Sequence, residues 1–228
     1  MKEVKEVPKM GESLTSQKII SLIISNIDKS ESFMSLINTK TTSDYIPWDS
    51  AISLIHRLYK DKNYVMSLFV ATGIFTGLRV RDLKDLRFNQ LLQGGVLVVI
   101  EHKTKKGRQI KLNQDFVEHV RRCYEAMGIT NPNQHCFLSQ KKTVMSTQWL
   151  NRLLKIIRDK YKVPCKNISC HSLRKSFSRR IYDMAGDNKE EVLIYLGEVL
   201  SHSSTQITRR YICLKKEHIL QAYDLLSF

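Results

Sequence analysis

Apolar positions recur along the chain at two spacings, and the change from one to the other marks its elements. After a polar, aperiodic lead over residues 1–14, Ile19, Ile20, Ile23, Ile24 and Ile27 fall on one face of a helix over Thr15–Ile27, and the Ser/Thr-rich stretch 30–44 reads as a linker. Pro47 and Asp49 then open a helix carrying Ala51, Ile52, Leu54, Ile55 and Leu58. The next span, Asn63–Phe75, is apolar all round and therefore central, and Gly77 ends it ahead of a short helix with Val80, Leu83 and Leu86. Gly94-Gly95 introduces a period-2 run, Val96–Ile100, and a second strand, Arg108–Leu112, follows the turn Lys103–Gly107. Helical spacing returns over Gln114–Met127, closed by Gly128, and Cys136–Leu138 is a candidate third strand. Ser146 or Thr147 caps a helix running to Ile157. Helices are then predicted over His171–Ala185, Lys189–Leu200, a short piece reaching Tyr211, and Lys215–Leu226. The predicted fold is mainly α with a small antiparallel β-sheet (α+β). Residues 1–44 form an N-terminal lead with one amphipathic helix and a linker, and 45–228 form the main domain.

Charge sharpens this division. The chain of 228 residues carries a formal charge of +15, yet residues 1–44 hold six basic and six acidic side chains, so the whole excess lies in 45–228. An excess of that size points to a polyanionic partner, because Lys and Arg contacts to phosphates release counterions. Cys123, Cys136, Cys165, Cys170 and Cys213 are odd in number and form no C-x-x-C pair, which predicts reduced thiols and neither a disulfide framework nor a metal site. No apolar run is long enough to span a membrane, and the first residues lack the apolar core of a secretion signal, so a cytoplasmic location is expected.

The chemistry-bearing residues concentrate in the last quarter. His171 and Arg174 stand three apart on one helix face, His202 follows the next helix, and Tyr211 comes nine residues later. Upstream are Thr76-Gly77-Leu78-Arg79 and the basic turn holding Lys103. Taken singly each has a more ordinary role, as a packed Tyr, a core His or a hairpin lysine that keeps an edge soluble. In this order Arg79, Lys103, His171-x-x-Arg174, His202 and Tyr211 resemble the catalytic set of the tyrosine recombinases, the phage integrase family, over roughly residues 45–228.

That resemblance implies a tyrosine recombinase catalytic-domain fold and a site-specific recombinase that cleaves and rejoins DNA through a 3′-phosphotyrosyl intermediate, with no cofactor and no metal. Tyr211 would be the nucleophile, Arg79 and Arg174 the clamp on the phosphate, His171 the acceptor of the tyrosine proton, Lys103 the donor to the departing 5′ oxygen, and His202 a hydrogen-bond donor to the phosphate. The family's lysine falls on Lys103 rather than on Lys105 or Lys106, and Asp82 takes the place of the carboxylate that orients Arg79. Lys105, Lys106, Arg108, Lys175, Arg179 and Arg180 are expected to contact the DNA backbone. The expected partner is double-stranded DNA, and the helix over 215–228 either folds on its own domain or docks on another copy of the chain in a DNA-dependent assembly. A bacterial, phage or mobile-element source and a nucleoid location follow from the same resemblance. A silent DNA-binding regulator of the same fold and a type IB topoisomerase-like enzyme are the alternatives. The chain departs from the family in reading Leu200-Ser201-His202 where a Gly is usual, and in having only some 44 residues ahead of the domain, fewer than a DNA-enclosing partner domain needs.

Overall fold

The structure, a computed structural model, describes residues 42–214. The helices expected over 15–27 and 215–226, and most of the linker, lie outside the described residues. Helix α1 (Trp48–Lys60) turns Ala51, Leu54, Ile55 and Leu58 inward, as its apolar spacing predicts. Helix α2 (Tyr64–Thr76) is buried on nearly every side and is the post around which the domain packs. Its Phe75 meets Trp48 edge-on and stacks on Phe116, while Phe69 meets Phe137 edge-on. Gly73 is where another helix crosses closely, since a Cβ there would lie 2.6 Å from Leu173 Cδ1.

Gly77 ends α2 in the left-handed region with φ +59°, against the ring of Phe177, so that position has neither the backbone nor the space for a side chain. The chain then passes through Arg79 into the short helices α3 (Val80–Lys84) and α4 (Phe88–Leu92). Strands β1 (Val96–Ile100) and β2 (Gly107–Lys111) pair antiparallel, with Leu97 opposite Ile110 and Val99 opposite Arg108. This alternation buries Leu97, Val99 and Ile110 and leaves Val96, Val98 and Ile100 exposed. No third strand forms over 136–138 among the described residues. Phe137 is fully buried, but only the isolated bridges Arg87–His135 and Leu138–Val144 flank it.

Helix α5 (Gln114–Ala126) is capped by the Asn113 side chain, and α6 (Thr147–Tyr161) by Ser146. Helix α7 (Cys170–Asp183) starts from a reciprocal cap between Ser169 and Ser172 and crosses α2 at Gly73. Helix α8 (Lys189–Leu200) ends at Ser201, and α9 (Thr205–Tyr211) starts from a Ser204 cap. Most buried apolar side chains form one core around α2, while Tyr182, Leu193, Leu196, Ile212 and Leu214 make a second, small cluster under α8 and α9. Tyr211 packs on that small cluster and Arg174 rises from the helix that joins the two. The seam between the clusters holds the candidate site.

Candidate active site

The two arginines meet at the end of a helix. Arg174, 4% exposed, donates from Nη1 to Gly77 O at 2.5 Å and from Nη2 to Leu200 O at 3.2 Å. Arg79 donates from Nη2 to the same Leu200 carbonyl at 3.0 Å and from Nη1 to Glu101 Oε2 at 2.5 Å. A carbonyl at a helix C-terminus carries partial negative charge, so the end of α8 is a natural seat for two guanidinium groups. Burial lowers Arg174 to about 10, the neighbouring Arg79 and Arg108 adding to the effect, and at neutral pH it remains a cation.

Glu101 is the carboxylate that orients Arg79, and Asp82 is not. Asp82 is buried, and its Oδ1 accepts from the His102 backbone N–H at 2.8 Å, while Asp85 Oδ2 lies 3.0 Å from His102 Nε2. The two aspartates of the α3 region thus hold the base of the hairpin turn that carries Lys103. Glu101 stands on the inward face of β1 with Leu97 and Val99, takes a hydrogen bond from Thr104 Oγ1 at 3.0 Å, and has Arg108 Nη1 3.6 Å away. Burial pushes its carboxyl up, but the hydrogen bonds from Thr104 and Arg79 and the charge of Arg79 outweigh it and leave Glu101 below the ordinary carboxylate range.

Tyr211 closes the site. Its hydroxyl is buried and has no well-aligned hydrogen-bond partner among the described residues, although Arg174, whose guanidinium serves Gly77 O and Leu200 O, is near enough to act on it. Burial raises the phenol above its ordinary value, and Arg174 and Arg79 offset only part of that rise. The ring is held on two sides, by the edge of His202 at 5.1 Å between centroids and by Lys175 Nζ at 5.1 Å from the ring centre. His202 is itself fixed by its backbone N–H to Gly197 O at 2.8 Å and by Nδ1 3.2 Å from the buried Thr208 hydroxyl. Desolvation, then Arg174, Arg79 and Lys103, lower its pKa. His171 reaches solvent at the rim, yet its crowded side and the charges of Arg174, Lys175 and Arg79 lower its pKa too. Both imidazoles are therefore neutral at pH 7.

The structure thus brings Arg79, Arg174, His202 and Tyr211 into one connected set, with His171 at its rim. Lys103 is exposed on the hairpin turn, close enough to act on His202. The residues expected on the DNA backbone divide. Lys105 and Lys106 are exposed beside Lys103. Arg180 lies over the Trp48 ring and Arg179 pairs with Asp183 across one helical turn. Arg108 and Lys175 point inward instead. Arg108 shares the inner face of β2 with Ile110, donates to Thr76 O at 3.0 Å, and is lowered by burial, while Lys175 is 6% exposed beneath Tyr211. An inward strand position and a buried helix position keep both side chains off the surface. Glu101 was missed by the sequence reading, though the period-2 pattern Leu97, Val99, Glu101 carries the signal for an inward carboxylate. Among the described residues no three His, Cys, Asp or Glu side chains converge as metal ligands, and no helix is long and apolar enough to cross a membrane.

The chain resembles known proteins in sequence and in fold. A sequence profile of the phage integrase family matches residues 49–218. The probable integrase/recombinase YoeC of Bacillus subtilis is 28% identical over 170 residues, which are 73% of this chain and 85% of that protein. The tyrosine recombinase XerC of Leptospira interrogans is 25% identical over 65% of this chain, and the match spans 46% of XerC, under half its length. Among solved structures, XerA recombinase superposes with a TM-score of 0.62 at 21% identity, covering 92% of this chain and 75% of its own. XerH bound to its palindromic difH substrate superposes at 0.60 and 19%, covering 85% and 56%.

Proposed function

Because the chain belongs to the phage integrase family, we propose that it cuts and rejoins duplex DNA at specific sites through a covalent bond between Tyr211 and a DNA 3′ phosphate. The observation that carries this reading is the buried Tyr211 hydroxyl, without a well-aligned hydrogen-bond partner among the described residues, beside two arginines that share one carbonyl. A hydroxyl left without a partner is costly to bury. A bound phosphodiester would give it an acceptor and would give the arginines an anion that suits their planar forks.

In the proposed reaction the Tyr211 oxygen attacks the phosphorus in line, its proton passing to neutral His171. Arg79 and Arg174 stabilise the charge growing on the non-bridging oxygens, and His202 donates from the ring nitrogen that does not face Thr208. The bond from phosphorus to the 5′ oxygen breaks, and Lys103 supplies its proton. Rejoining runs the steps backwards, and the phosphotyrosyl bond keeps the energy of the phosphodiester, so no nucleotide is consumed. We place this activity in residues 45–228, with Lys105, Lys106, Arg179 and Arg180 toward the duplex. The protein's own cations fill every charge role, and cleavage is expected to persist in EDTA. A strict requirement for Mg²⁺ in a single turnover would overturn that mechanism.

The test is incubation with nicked duplexes of randomised sequence, followed by denaturing electrophoresis for protein attached to DNA. The native chain is expected to form the adduct and Tyr211→Phe to bind DNA without forming it. An adduct on the Phe variant would refute the assignment of the nucleophile, and the recovered sequences would report the preferred site.

A further inference from the structure

The inward turn of Lys175 joins the ring of Tyr211 to the segment that leads into the domain. Lys175 Nζ donates to Ser43 O at 2.7 Å while lying 5.1 Å from the centre of the Tyr211 ring. Ser43 belongs to a strap, residues 42–46, laid along the first half of α7. Asp44 exchanges two hydrogen bonds with Asn167, its N–H to Asn167 O and its carboxylate with Asn167 N, both at 3.0 Å. Ile46 N–H donates to Ser176 Oγ at 2.8 Å, and the Ile46 side chain is fully buried.

A long flexible side chain has little reason to be held rigid at 6% exposure for a single hydrogen bond. Here it bridges a backbone carbonyl of the strap and the face of the phenol ring, against which His202 also packs. A cation over an aromatic face restrains the ring without touching its hydroxyl. Its main effect is on where the oxygen points, since burial, Arg174 and Arg79 dominate how readily the phenol ionises.

We propose that Lys175 is a positioning residue for Tyr211, and that through it the readiness of the nucleophile depends on the seating of residues 42–46. The inference rests on the reading of Tyr211 as the nucleophile. A pull on the chain ahead of residue 42 would draw the Ser43 carbonyl away and loosen one side of the ring. In-line attack tolerates little displacement, and a misplacement of about 1 Å can cost on the order of 10²-fold in rate.

The experiment measures duplex affinity and the single-turnover rate of adduct formation at saturating DNA, for the full chain and for Lys175→Met, Lys175→Arg, Asp44→Ala and the double variant Asp44→Ala with Lys175→Met. Lys175→Met is expected to bind with unchanged affinity and salt dependence, since the side chain is buried and its ammonium is taken up by Ser43 O, and to form adduct about 10-fold or more slowly with an unshifted pH profile. Lys175→Arg, which keeps a cation over the ring, is expected to recover much of the rate. Asp44→Ala, which loosens the strap away from Tyr211, is expected to slow adduct formation, and the double variant to be no slower than Lys175→Met, because the two losses act through one link. A Lys175→Met rate equal to that of the native chain overturns the inference, as does a double-variant loss equal to the product of the single losses. Should Lys175→Met fail to fold, the rates of Lys175→Arg and Asp44→Ala decide the same point, an undiminished Asp44→Ala rate counting against it. Absence of any adduct with the native chain would fell the nucleophile reading and this inference together, whereas a native adduct with an indifferent Lys175 fells the inference alone.

Discussion

Glu101→Gln removes one negative charge and changes almost nothing in shape, which makes it a direct probe of how the site balances its cations. The Glu101 side chain is 4% exposed and its Oε2 lies 2.5 Å from Arg79 Nη1, with Arg108 Nη1 at 3.6 Å from Oε1. At an effective dielectric of about 20, unit charges about 4 Å apart attract by about 4 kcal/mol. Stripping one partner from a buried pair costs about 3–5 kcal/mol, because the remaining ion stays desolvated. Arg79 retains 18% side-chain exposure and Gln keeps one acceptor, so the lower end applies, about 3 kcal/mol. For a domain of this size that is a fall of about 6–12 °C in Tm. The melting should be followed by circular dichroism at pH 7 and fixed ionic strength, with and without a short duplex. Without DNA the variant should melt lower. With DNA the gap should narrow, because a phosphate can then take the place of the lost carboxylate beside Arg79. An unchanged Tm in the absence of DNA, or a gap that DNA leaves untouched, would refute the assignment of Glu101 as the counter-charge of an anion site. The native protein should show the same dependence on acidification: the Glu101 carboxyl is held below its unfolded value, so its contribution is present above the unfolded pKa and is lost as pH falls through the folded one.

Two further predictions concern stability. His119, half-buried with Nε2 3.1 Å from Ser67 Oγ, is lowered to about 4 by burial, then Arg122 and His56. The unfolded chain binds its proton more readily, so urea-unfolding free energy should drop by about 1–2 kcal/mol between pH 6.5 and 4, after discount for its partial exposure, and the drop should be smaller in His119→Asn. Ser201 closes α8 in the left-handed region at φ +54°, where a side chain strains the backbone, so Ser201→Gly should raise stability by about 1 kcal/mol, read as about 2–4 °C in Tm, and an unchanged or lower Tm would count against the strain.

The fold was readable where burial on one side leaves a period. Strand β1 and helix α8 occur at the expected bounds because alternation and a Gly-Gly or Asn-Lys break delimit them. Cys136–Leu138 misled because a buried apolar triplet looks the same whether or not a neighbouring strand supplies the ladder. The site was legible as a set of residue types in order. Which carboxylate served Arg79 was not, because Asp82 is near Arg79 in sequence whereas Glu101 reaches it only after the hairpin folds over α3. The same limit applies to Lys175, one residue from Arg174 on a helix whose basic residues look alike until the packing of Ser43 and Tyr211 turns this one inward. The left-handed backbone at Ser201 emerged only with the helix end it terminates.

Burial keeps the Tyr211 phenol protonated against the charges gathered at the seam. Arg79, Arg108, Arg174 and, beneath Tyr211, Lys175 outnumber the carboxylates Glu101 and Asp82, and Leu200 O at the end of α8 offsets only part of the positive excess. A DNA phosphate would supply negative charge to that excess. Its arrival brings the acceptor that the Tyr211 hydroxyl misses, but it also consumes the positive potential that would favour a phenolate. Binding therefore cannot by itself ionise Tyr211, whose phenol already lies above its ordinary value because it is buried. On the proposed mechanism the proton must leave as the bond to phosphorus forms, to a base that is already neutral. His171 and His202 both meet that condition, since desolvation and the same arginines hold their pKa values down. The cations that clamp the phosphate thus also keep the imidazoles unprotonated, and adduct formation should remain flat with pH above about 6.5, the ordinary imidazole value, rather than titrate there.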